Sequence, residues 1–102
     1  MKEMLMIDLT NAARTLVPAA TITVEAAGQT FDTFELLVQE GRVVLDAWNR
    51  PYGGDTLGAE DFAEALINEL CRPGVAGLPV FVQSPDGALR PLTALDGGVL
   101  RA

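Results

Sequence analysis

The chain of 102 residues contains no histidine, one cysteine, one tryptophan and one tyrosine. Without an imidazole, neither the Ser–His–Asp nor the Cys–His arrangement can form, because each uses that ring as its base. Zinc sites draw on cysteine and histidine in numbers, which Cys71 alone cannot supply. A lone cysteine also forbids an intrachain disulfide and gives no sign of an oxidising compartment. Basic residues are scarce: 7 Lys and Arg stand against 14 Asp and Glu, for a formal charge of −7. Such a surface repels phosphates and anionic lipid, so neither direct nucleic-acid binding nor a membrane partner is expected.

Long apolar runs are missing too. None approaches the about 20 residues that a membrane-spanning helix needs. The stretch Met1–Ile7 is too short for the apolar part of a secretion signal, and a cytoplasmic location is the expectation. Residues 1–7 read as an extension or a disordered lead, with Met6 an alternative start. The glycines of Gly53-Gly54-Asp55-Thr56-Leu57-Gly58 lack the Gly-Lys-Ser/Thr ending of a phosphate-binding loop. Glu60, Asp61 and Glu64 do not follow the alternating spacing of a calcium loop and read as a solvated helix face. No catalytic residue, no metal ligand and no cofactor site emerges, and the chain is read as not an enzyme.

What is present is enough to fold. Hydrophobic residues make up 49% of the chain, and its length fits one small acidic domain over residues 1–102. Asp8 to Leu16 reads as a short helix, capped by Asp8 or Thr10 and stopped by Pro18. Ala20 to Ala26 alternates apolar and polar residues, the period of a strand with one buried face. After a turn at Gly28-Gln29, Asp32 to Gln39 and Arg42 to Trp48 repeat that pattern around Glu40-Gly41, giving a three-stranded antiparallel meander. Asn49 to Gly58 carries a proline and three glycines and reads as irregular.

Ala59 to Arg72 has the clearest helical stripe, through Phe62, Ala63, Leu66, Ile67 and Leu70. Glu60 and Asp61 suit its first turn, Thr56 or Gly58 its cap, and Pro73-Gly74 its end. Cys71, beside that stripe, reads as a small buried hydrophobe. The tail reads as two or three C-terminal strands. Leu78–Gln83 and Ala88–Ala94 pair about Ser84-Pro85-Asp86-Gly87, and Val99 to Arg101 forms an edge. The fold class is therefore a two-layer α+β domain: short helix, meander, main amphipathic helix, strands. The sequence leaves open whether the two strand groups share one sheet.

Two groups of residues invite a functional reading. Trp48, Arg50 and Tyr52 fall within five residues of one another at a strand end, and these types dominate the energetics of protein interfaces. Glu35 and Asp46 form an acidic patch if they share the polar face of the meander. Together they predict a protein-binding module that docks through the Trp48–Tyr52 loop, with the two acids meeting a basic rim. One alternative is an acidic decoy or inhibitor of a nucleic-acid-binding complex. Another is a structural protein that self-associates, as a homodimer, through C-terminal edge strands. The element order resembles that of small acidic secretion chaperones, though without their closing helix. Size and charge are similar to those of small phage and mobile-element inhibitors, the anti-CRISPR type among them. These resemblances imply a protein partner.

Overall fold

The computed structural model describes residues 4–48 and 58–102. In chain order the elements are α1 (Met6–Ala13), β1 (Thr23–Ala26), β2 (Gln29–Phe31), β3 (Thr33–Gln39), β4 (Arg42–Trp48), α2 (Ala59–Leu70), β5 (Val80–Gln83), β6 (Leu89–Pro91), β7 (Ala94–Asp96) and β8 (Val99–Arg101). The α+β class and the order of elements are those the sequence implies. The strands form two four-stranded mixed sheets, β2-β1-β8-β7 and β3-β4-β5-β6.

The expected meander is divided between the sheets. β1 pairs with β2, and β3 pairs with β4, but Asp32 bends the chain between β2 and β3 so that one extended run serves both sheets. The same happens at the other end, where the single strand expected over Ala88–Ala94 splits into β6 and β7. Leu92 N–H still bonds to Val80 of the second sheet, while Thr93 N–H bonds to Arg101 of the first. Strands that change sheets through a bend are a usual way to turn the corner between packed sheets.

Two parallel pairings complete the sheets. β4 and β5 run parallel because α2 carries the chain back between them, the connection that parallel neighbours require. β8 runs parallel to β1 and antiparallel to β7, so it lies inside the first sheet rather than at an edge. Its central residue explains the placement: Leu100 is fully buried and belongs to the core. Arg101, beyond it, bridges to Glu25 on β1 at 3.0 Å and to Asp96 on β7 at 3.6 Å.

One core joins both helices to both sheets. Met6 and Leu9 of α1, Phe62 and Leu66 of α2, Val24 of β1 and Leu45 of β4 are all fully buried within it. Phe62 meets Phe34 of β3 edge to face, with ring centroids 5.3 Å apart, a geometry that adds about 0.5–1.5 kcal/mol beyond the buried area. Helix α1 starts two residues before the expected Asp8. Asp8 instead accepts the Leu5 N–H at 3.2 Å, and Met6 N–H bonds to Leu78 at 2.8 Å. Of the seven residues read as a lead, 1–3 lie outside the described residues, and Met4 bonds to both Leu92 and Val80. Helix α2 ends at Leu70, and Cys71, its C-cap one turn after the exposed Ile67, is exposed, contrary to the expectation that it is buried. Thr56, one expected cap, lies outside the described residues; Gly58 occupies the cap position.

The Ser84–Gly87 turn forms as expected, closed by Gly87 N–H to Ser84 carbonyl at 2.8 Å. Asp86 Oδ1 accepts from the Ser84 hydroxyl at 2.7 Å and from Ala88 N–H at 3.1 Å. The Ser84 hydrogen bond first, then the Ala88 one, hold the Asp86 carboxyl below the usual carboxylate range. The folded state thus favours the ionised form. Its stabilisation is full above the unfolded value near 4 and is lost as pH falls through the lower folded value. Asp86→Asn is therefore expected to flatten the acid limb of the stability–pH curve, which chemical denaturation at pH 2.5–6 would measure.

Candidate outer-face docking surface

The second sheet has an inner face and an outer face of different character. Alternation sends Phe34, Leu36 and Val38 of β3, and Val43, Leu45 and Ala47 of β4, to the core. The intervening residues occupy the outer face, and the register sets them in rows. One row runs Leu37, Val44, Phe81 and Pro91 across β3, β4, β5 and β6. None of these four belongs to the core cluster or packs against it. Val44 is fully buried, Leu37 and Phe81 are half-buried, and Pro91 is exposed.

The next row begins with Glu35 directly opposite Asp46 and continues through Gln83 to Leu89. Glu35 is exposed and Asp46 half-buried. Neither carboxylate has an ion pair or hydrogen bond to a cation among the described residues; the three ion pairs there involve Arg72 and Arg101. Like charges directly opposite in a sheet are destabilising. Trp48 follows, opposite Thr33 at the end of the hairpin, half-buried and outside the core cluster. Glu35, Asp46 and Trp48 thus share one face. Arg50 and Tyr52, the other expected site residues, lie outside the described residues.

Leu37 follows from the alternation that turns Phe34, Leu36 and Val38 inward, and it pairs with Val44 on the outer face. Phe81 escapes a sequence reading. Val80-Phe81-Val82 is an unbroken apolar run, and periodicity alone does not tell which member points away from the core; its pairing with Val44 does.

A second concavity lies between the helices. It is a groove of about 390 Å³ lined by residues that include Ala13, Leu16, Ala63 and Ile67, with Arg14 and Glu64 at its rim. Ile67, expected on the buried stripe, is 42% exposed there. No group of three or more metal-ligating side chains occurs among the described residues, and no helix there is long and apolar enough to cross a membrane. Comparison with protein-family models, with curated proteins and with solved structures found no match.

Proposed function

We propose that this chain is a non-enzymatic protein-binding module whose docking surface is the outer face of the second sheet. The partner presents a basic side chain beside an apolar one. The observation that carries this reading is the directly opposed pair Glu35 and Asp46, without a cation among the described residues and set between an apolar row and Trp48. A like-charge pair at that position costs stability in the isolated domain. A lysine or arginine from a partner reverses the cost, and Leu37, Phe81 and Trp48 supply the apolar area around it. Tryptophan there fits the composition of interface hot spots, and the acidic surface steers a basic partner into encounter.

The test is affinity capture from a lysate of the source organism with wild-type protein and Trp48→Ala, at low and at moderate salt. A partner retained by the wild type and lost by a folded Trp48→Ala is the expected result. Identical captures by the two proteins would move the site off this face. Capture abolished by added DNA or RNA would favour the decoy instead, since that mode competes for a nucleic-acid site.

A further inference from the structure

Strand β3 is an edge of the second sheet, and its far side faces no other strand among the described residues. The direction of its free groups follows from β4. Val43 N–H is donated to Pro79 on the β5 side, at 2.9 Å, so Val43 points away from β3 and its neighbours point toward it. Thr33, Glu35, Leu37 and Gln39, opposite Trp48, Asp46, Val44 and Arg42, are therefore the residues that exchange hydrogen bonds with β4. Phe34, Leu36 and Val38 turn their N–H and C=O groups outward. Among the described residues, no backbone bond outside the sheet ladders uses them. The edge also lacks the usual protection: Thr-Phe-Glu-Leu-Leu-Val-Gln has no proline or lysine and only one charge.

We propose that β3 pairs antiparallel with β3 of a second copy of the chain, about a two-fold axis at Leu36, to make one continuous eight-stranded sheet. This register sets Leu36 against Leu36 and Phe34 against Val38, so every outward group of these three residues finds a partner. It also sets an aromatic against a β-branched residue, a favourable cross-strand pair. Charge selects it over the register centred one residue earlier, on Glu35. A shift that centres the axis on Glu35 brings two like charges face to face, whereas the axis at Leu36 puts each Glu35 opposite Leu37 of the other copy. An isologous contact of this kind closes at two copies and does not propagate. It uses β3 rather than the C-terminal edges β6 and β7, which are three residues each. It also stands whether or not the outer face binds a partner.

Position 37 reads out the register. Leu37→Lys places two new opposite-charge pairs across the axis, and Leu37→Glu places two like-charge pairs. Analytical ultracentrifugation of the full chain is expected to show a concentration-dependent dimer. Leu37→Lys should tighten it by about 2- to 30-fold and Leu37→Glu should weaken it by a similar factor, from two symmetric pair terms. Amide hydrogen exchange provides the second readout: Phe34, Leu36 and Val38 should slow as concentration rises, while Glu35 and Leu37 stay protected throughout. A monomer at every concentration overturns the proposal. So does a dimer indifferent to both substitutions, which would place the contact on another surface. Slowing at these three amides only when a foreign peptide is added would assign the edge to a strand from a different protein and overturn the dimer.

Discussion

Gly98→Ala is expected to lower the unfolding free energy by about 3 kcal/mol or more, enough to remove much of a small domain's stability. Gly98 has φ +94, a region that costs an L side chain about 1–3 kcal/mol. A Cβ there would also stand 2.7 Å from the Thr21 carbonyl oxygen, a backbone atom that cannot rotate away. Relief requires the chain before β1 to shift. That movement strains the bond from Thr23 N–H to the Gly98 carbonyl, at 3.0 Å, and the bridge between Thr21 and Gly58. Gly87→Ala is the control. Its φ is +89, but no atom lies within 4 Å of the added Cβ, so only the backbone strain applies. Urea unfolding of the two variants should separate by roughly the contact term, about 1–3 kcal/mol. Equal losses would mean that Thr21 yields freely and that this junction does not hold the first sheet in register.

Asp46→Lys should move stability and binding in opposite directions. In the isolated domain it turns the opposed Glu35–Asp46 pair into an opposite-charge pair, a gain of roughly 0.2–1 kcal/mol relative to a neutral pair. On the docking surface it sets a cation against the partner's basic group. Like-charge juxtaposition at an interface costs several kcal/mol, so affinity for a captured partner should fall by about 100-fold or more. A residue whose replacement stabilises the fold while abolishing binding is held for function. Denaturation midpoints and a titration of the partner, run on the same preparation, check both signs. A variant that is more stable and binds unchanged would show Asp46 to be a bystander.

Much of this arrangement is legible in the sequence, and the exceptions have physical causes. The β3–β4 hairpin is local: alternation fixes its faces and Glu40-Gly41 fixes its register, so the placement of Glu35 opposite Asp46 follows from counting outward from the loop. Helix α2 is equally readable, because its stripe is local to it and Pro73-Gly74 follow within three or four residues of its last turn. The bends at Asp32 and at Leu92–Thr93 are not. The apolar phase shifts by one residue between Phe31 and Phe34 and breaks again around Leu92, but a phase break alone does not show that the flanking segments belong to different sheets. The interior position of β8 depends on parallel pairing with a strand 76 residues earlier, for which three residues of sequence carry no signal. Cys71 lies one turn after Ile67 and shares its exposure, because that line of the stripe runs along the margin of the buried face, a boundary that periodicity does not mark. On the candidate face, the acids and Trp48 stand out as residue types and Leu37 follows from the hairpin's alternation, while Phe81 lies inside a uniform apolar run.

The most direct test of the docking surface uses the chain's only tryptophan. Protein labelled with 5-fluorotryptophan gives a single fluorine resonance, from Trp48, on the outer face beside Asp46. That resonance should be followed by NMR while a captured partner is titrated, with complex formation measured independently by sedimentation. A shift or broadening that saturates with the complex is the predicted result. A complex that forms while the Trp48 resonance stays unchanged would contradict the account and place the docking surface elsewhere.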